Sequence, residues 1–248
     1  LTWGALNVLG ADESRARSIE HARRRVAEAV ERETLELGVE TDSQGHRAKA
    51  FLYCLETKCP RSGWMVPLAP NWIISNTRKV VARLVPDHAN KMFDIEVVSN
   101  ASAEEMSAAS VGTMQSGRLI YELDGDVYDT PIKQIRGDRR EGRDSSRNAL
   151  RLWERGDFAP RPGDIFQERL YAIQWAHVDT LDKGRQQIFF TGAREEDIER
   201  EKSVEHIVRS KLEYWQGAGL VADMPIEHGK ETTRLTRERG WTYWHHLF

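Results

Sequence analysis

The feature that most constrains this chain is its texture: short β-prone runs, bracketed by two long stretches with helical periodicity. Between about residues 49 and 136, Phe51-Leu-Tyr-Cys54, Lys79-Val-Val-Ala-Arg-Leu-Val85 and Met92-Phe-Asp-Ile-Glu-Val-Val98 read as strands. The last alternates apolar Phe93, Ile95 and Val97 with polar neighbours, the pattern of a half-buried strand. Two more runs, 117–123 and 127–135, flank Asp124-Gly125, a dipeptide suited to a tight hairpin turn. Ser102-Ala-Glu-Glu105 has capping-box spacing and predicts a short helix. On the N-terminal side, residues 12–37 predict one helix. Asp12 or Ser14 can cap it, Ile19, Val26, Val30 and Leu37 recur at helical spacing, and Gly38 can close it. Its other faces carry Arg23 to Arg25 and Glu28, Glu31 and Glu33, read as solvated. Strands resume at 169–177 and 186–190, joined by Asp182-Lys-Gly184. A second helix is predicted at 195–216, with Ile198, Val204, Val208, Leu212 and Trp215 near one stripe, and a third at 231–239, ending at Gly240. The fold class expected is α+β, with a β-hairpin-rich centre flanked by N- and C-terminal helices. Three parts follow: an N-terminal helical arm (1–40), a β-rich core (41–190) and a C-terminal helical segment (191–248).

Size and charge narrow the partners. The chain has 248 residues, with 36 Lys and Arg against 39 Asp and Glu, for a net charge of −3. That length can bury a substantial core, and a mildly negative chain does not coat nucleic acid wholesale, although local patches can bind it. No run approaches the roughly 20 apolar residues of a membrane helix, and no basic, apolar leader opens the sequence. Two cysteines five apart do not frame a secreted disulfide scaffold. The expectation is a cytoplasmic globular protein, with no membrane partner. The ends read as cut from a longer protein: the chain starts Leu1-Thr2-Trp3, and the last eight residues, Trp241-Thr-Tyr-Trp-His-His-Leu-Phe248, are unusually apolar. Such a tail either seeks a partner surface or folds back onto its own core.

Self-sufficient catalysis is not expected. The G-x-G at Gly217-Ala-Gly219 sits where a helix should stop, so it reads as a terminator and not a phosphate cradle. No two prolines are adjacent, and neither G-x-S-x-G nor H-E-x-x-H occurs. Pro86-Asp87 lacks a following Glu-x-Lys, since Glu56-Thr57-Lys58 precedes it. The acids Glu195, Glu196 and Asp197 fall in the first turn of a predicted helix, where the dipole favours negative charge. His245 and His246 are adjacent, point in different directions and make a poor metal pair. No residue of this chain is assigned a catalytic or metal-binding role.

The most specific stretch is Tyr53-Cys54-Leu-Glu-Thr-Lys-Cys59-Pro60-Arg61-Ser62-Gly63-Trp64, followed by Val66-Pro67-Leu68. A zinc knuckle has the form Cys-Pro-x-Cys-Gly, and residues 59–63 keep all of it except the second cysteine. A ribbon's second knuckle would fall at Tyr121-Glu-Leu-Asp124-Gly125, which has the frame with Tyr and Asp at the thiolate positions. Together with Val66-Pro-Leu-Ala-Pro-Asn-Trp72, Ala82-Arg-Leu-Val-Pro-Asp87, Ile135-Arg-Gly-Asp138, Gly163-Asp-Ile-Phe-Gln-Glu-Arg-Leu-Tyr171, Glu231-Thr-Thr-Arg234 and Arg239 to Phe248, these motifs cover most of the chain. The sequence resembles the large adenine-specific DNA methylases that carry a zinc-ribbon segment and are associated with anti-phage defence and restriction-modification.

The resemblance implies that this chain corresponds to an insert between the cofactor-binding glycine loop and the catalytic Pro-Pro-Tyr loop. Methylation, DNA adenine as substrate and S-adenosylmethionine as methyl donor would then belong to the parent protein, with no cofactor held in this chain. With Cys59 the sole thiol at the four ribbon positions, zinc is not expected. The centre is a degenerate zinc ribbon, held by packing of residues such as Trp64, Trp72, Leu119 and Tyr128. Inserts in such enzymes supply the grip on DNA or read the target sequence while the base is extracted, so DNA binding or target recognition is the expected role. The candidate nucleic-acid-binding residues are Lys133, Arg136, Arg139, Arg140, Arg143 and Arg147, in a long loop (133–164) that also holds Arg151 and the acids Asp138, Glu141 and Asp144. Two alternatives stand beside this: a solvated loop whose arginines pair with its own acids, and a scaffold that braces the methylase or docks other defence proteins without touching DNA.

Overall fold

The computed structural model describes residues 10, 12–141 and 145–247; Leu1 to Trp3, Arg143, Asp144 and Phe248 lie outside them. Helix α1 (Glu13–Leu37) forms where the capping signals place it. Asp12 accepts a hydrogen bond from the Arg15 amide at 2.9 Å, and Gly38 closes the helix with φ of 65°. No residue of α1 is buried; Val26, Val30, Leu35 and Leu37 are exposed and Ile19 is half-buried. The helix is tied to the body by an Arg47–Glu31 ion pair at 2.6 Å and a looser Lys211–Glu33 contact at 4.0 Å.

The centre is a mixed sheet of seven strands. In chain order these are β1 (Arg47–Lys58), β2 (Met65–Leu68), β3 (Ile73–Ser75), β4 (Val80–Asp87) and β5 (Met92–Val98). A short capped helix α2 (Ala103–Ala109) follows, closed by the reciprocal Ser102–Glu105 bonds its sequence predicts. Then come a small sheet of β6 (Met114–Gln115), β7 (Arg118–Leu123) and β8 (Asp126–Pro131), the one-turn helix α3 (Ile132–Ile135), and a hairpin of β9 (Arg139–Glu141) and β10 (Ser145–Arg147). The large sheet is completed by β11 (Phe166–Ala176) and β12 (Ile188–Gly192), in the order β12-β11-β1-β2-β5-β4-β3. Its longest pairing, β1 with β11, joins Leu52 to Ala172. Helices α4 (Glu195–Gly217) and α5 (Thr232–Arg239) finish the chain. The α+β architecture, with helices flanking a β-rich centre, is therefore as expected.

Three apolar clusters hold these layers. Cys59, Trp64, Val66, Phe93, Leu119, Tyr121 and Leu123 fasten the small sheet to β2 and β5, with Tyr128 packed at their edge. Trp72, Val81, Ala82, Ala101 and Ala109 seat α2 beneath the far strands. Ala48, Leu170, Ile173 and Trp175 lie under the start of α4. The alternation read in β5 is realised: Phe93 is buried and Ile95 and Val97 half-buried, with Asp94 and Glu96 exposed between them. The apolar tail folds back on the body: Trp153 donates to the Gly240 carbonyl at 2.8 Å, and the Thr242 hydroxyl donates to the Trp153 carbonyl. Among the described residues no helix is long and apolar enough to cross a membrane.

Candidate nucleic-acid interface

The basic segment is not an unstructured loop. Its polar, Arg-rich sequence carries no apolar alternation, yet Arg139–Glu141 and Ser145–Arg147 pair as an antiparallel ribbon, with Arg139 opposite Arg147 and Arg140 opposite Ser146. Cross-strand partners share a face, so Arg139 and Arg147 project together while Arg140 projects from the other side. The base of the ribbon is pinned on both flanks. Arg136 accepts from the Ala149 amide at 2.8 Å through its carbonyl, the Asp138 amide donates to Lys133 at 2.8 Å, and Asn148 donates to the Arg237 carbonyl at 2.6 Å.

The arginines of this region divide into two groups. Arg136 is buried and forms a bidentate pair with Asp138, at 3.2 and 2.7 Å. Arg151 bridges Asp164 at 2.7 Å and Asp157 at 2.6 Å, and Arg161 adds a second bond to Asp157 at 2.7 Å. Hydrogen bonds that Arg151 donates to Asp164, then to Asp157, raise its pKa, and the Arg151 guanidinium holds the Asp164 carboxyl below its usual range. These arginines brace the fold. The solvated-loop reading holds for them in one respect, since they pair with local acids, but the pairs are fixed and partly buried. Lys133, Arg139, Arg140 and Arg147 instead stand exposed along α3 and the ribbon, with Arg140 and Arg147 also engaging neighbouring groups of the protein. Arg143 lies outside the described residues.

The knuckle frame also has a definite geometry. The Gly63 amide donates to the Cys59 carbonyl and the Cys59 amide to the Trp64 carbonyl, both at 2.8 Å, and Gly63 takes a left-handed φ of 77°. Three of the four ribbon positions meet: Ser62 and Tyr121 hydroxyls lie 2.5 Å apart, beside the buried Cys59 sulfur. Burial raises the Cys59 thiol pKa, but hydrogen bonds from Tyr121, from the Ser62 and Arg61 amides and from the Ser62 hydroxyl outweigh it and lower it. The fourth position, Asp124, sits in the β7–β8 turn and faces His88 at 3.5 Å. One thiol and two mutually bonded hydroxyls do not fit a tetrahedral zinc site. Among the described residues no group of three or more His, Cys, Asp or Glu could hold a metal ion. Cys54 is a buried thiol of a different kind, pushed up to about 12 by burial and by Glu56; neither cysteine is in a disulfide.

A cleft of about 830 Å³ between α4 and the β1–β11 pair was not visible in the sequence. Glu168 and Glu201 line it, and burial raises the pKa of both carboxyls; each also feels other acids of the cleft, including Glu205. Tyr53 bonds Glu201. No short motif could have signalled it, because Tyr53, Glu168 and Glu201 come from three elements far apart in sequence. No family model matches the chain, and neither a curated protein nor a solved structure is similar to it.

Proposed function

We propose that this chain is a non-catalytic insert of an S-adenosylmethionine-dependent adenine-specific DNA methyltransferase acting in the cytoplasm, and that its β9–β10 ribbon grips DNA. The observation that carries the DNA reading is the ribbon itself: a two-stranded antiparallel element, anchored at its base, with Arg139, Arg140 and Arg147 exposed along it and Lys133 beside it. A two-stranded ribbon fits the major groove, and arginine's planar fork suits phosphate oxygens. The methylase part of the reading is supported by the motifs and not by the ribbon. The parent protein supplies the methyl-donor site and the catalytic loop, and the knuckle frame keeps its shape without zinc.

The scaffold alternative is favoured by the arginines that pair with acids of the fold, Arg136 with Asp138 and Arg151 and Arg161 with Asp157. Fluorescence anisotropy with a labelled duplex separates the two. Four exposed cations neutralising about four phosphates predict a log–log salt slope near −3.6, from roughly 0.9 per contact. Arg139→Ala with Arg147→Ala should flatten that slope by about two contacts while leaving the melting temperature unchanged. Absence of binding at low salt would exclude the DNA reading and leave the scaffold.

A further inference from the structure

Helix α1 is amphipathic, 25 residues long and without a buried residue. Val26, Val30 and Leu37 are 64%, 58% and 48% exposed. An isolated helix in water gains its stability from packing an apolar face, and here Val26, Val30 and Leu37 on that face stay exposed, with Ile19 half-buried and Glu33 4.0 Å from Lys211. The stripe is regular: Ile19, Arg23, Val26, Val30, Glu33 and Leu37 follow one another at alternating steps of four and three. That is the seam of a left-handed coiled coil.

The charges of α1 are segregated as well. Residues 13–25 hold five arginines against two glutamates, and residues 26–37 hold four glutamates against one arginine. This order opposes the helix's own dipole, which favours acids at the start and bases at the end. A parallel copy would set base against base and acid against acid. An antiparallel copy would do the reverse.

We infer that α1 is a self-association surface, pairing antiparallel with α1 of a second copy of this chain about a two-fold axis near Glu28. The seam then reads itself in reverse. Val26 packs on Val30, Ile19 on Leu37, and Arg23 on Glu33 of the second copy, each layer occurring twice by symmetry. Both members of the charged layer are accessible: Arg23 is bonded to Glu20 of its own helix at 2.8 Å, and exposed Glu33 lies 4.0 Å from Lys211. A charged layer inside an apolar seam fixes register and orientation, because any slip leaves Arg23 or Glu33 facing valine. The inference rests on α1 alone and is independent of the DNA reading.

Sedimentation velocity of the 248-residue chain, from micromolar to submillimolar concentration, tests it. A reversible monomer–dimer equilibrium is expected. Arg23→Glu sets glutamate against glutamate in two layers and should weaken the dimer about tenfold. Adding Glu33→Arg restores the layer with its signs exchanged, and the affinity should return. Val26→Glu with Val30→Glu should abolish the dimer without lowering the melting temperature, since neither side chain is buried in the monomer. Orientation is read from spin labels at Glu13→Cys: roughly 45 Å apart in the antiparallel pair, against roughly 10 Å in a parallel one. A chain that stays monomeric throughout, a short label distance, or a double charge swap that fails to rescue would each overturn the inference.

Discussion

Acid should loosen the C-terminal tail through a single histidine. His246 is 5% exposed. Its Nδ1 accepts from the amides of Thr242 and Tyr243, at 3.2 and 3.3 Å, and its Nε2 lies 3.0 Å from the Glu154 carbonyl. Two N–H groups aimed at Nδ1 require that nitrogen to be bare, so Nε2 carries the proton and donates to Glu154. The neutral ring is fully used, and a second proton has no place to sit. Burial first, and the neighbouring His245 second, lower the His246 pKa from 6.5 to about 4; Asp157 and Arg151 act on it in opposite directions. Between those two values the unfolded chain binds a proton that the folded chain refuses. Stability from His246 is therefore complete above pH 6.5 and is lost as pH falls towards 4. The full gap of about 2.5 units would be worth roughly 3 kcal/mol, and solvent screening brings it to about 1–2 kcal/mol. For a chain of this length that is a drop in Tm of about 2–8 °C. Carboxylates titrate in the same window, so the readout is the difference between wild type and His246→Gln. The variant should start less stable and show a flatter Tm–pH curve between 6.5 and 4. Equal slopes, or an NMR titration that puts His246 near 6.5, would refute the reasoning.

Two further changes probe the same kind of local argument. Among the described residues, neither ring nitrogen of buried His245 has a hydrogen-bond partner, and such groups cost roughly 1–3 kcal/mol; His245→Phe should raise Tm by a few degrees in differential scanning calorimetry, and a fall of that size would show that the ring's polarity is needed. Tyr121→Phe removes one of the hydrogen bonds that hold the Cys59 thiol low, so ultraviolet thiolate titration should place Cys59 higher in the variant, with a stability loss of about 1 kcal/mol.

Local signals in the sequence located the elements well wherever a backbone end needed a particular side chain. Asp12 and Gly38 bound α1, Ser102 and Glu105 close α2, and Asp124-Gly125 turns the β7–β8 hairpin with both residues at positive φ. These positions speak for themselves because cap and turn geometry involves only neighbours. Pairing across distance was not legible. Leu52 meets Ala172 because two buried strand faces select each other in the folded sheet, and no spacing rule encodes that choice. The basic segment shows the same limit from the polar side. Arg136 and Arg139 are three residues apart and chemically identical, yet one is buried against Asp138 and the other is exposed. What separates them is the left-handed turn at Gly137, with φ of 67°, which sends the chain from α3 into the ribbon.

The turn at Cys59 to Trp64, whose sequence has the frame of a zinc knuckle, closes against a packed apolar cluster. A structural zinc contributes on the order of 10–16 kcal/mol to a small ribbon's folding, a useful scale for what packing supplies at this turn. The turn between β1 and β2 is instead roofed by Trp64, Val66, Phe93, Leu119, Tyr121 and Leu123, all buried in one cluster. At about 1.5–3 kcal/mol for each large apolar side chain, six of them supply a comparable sum. The Ser62–Tyr121 hydrogen bond then fixes the geometry that coordination would otherwise impose, at 2.5 Å between oxygens. A ribbon held by metal needs its sulfurs and tolerates a thin core. One held by packing needs Trp64 and Leu119, because their apolar contact joins the two hairpins alongside the Ser62–Tyr121 hydrogen bond.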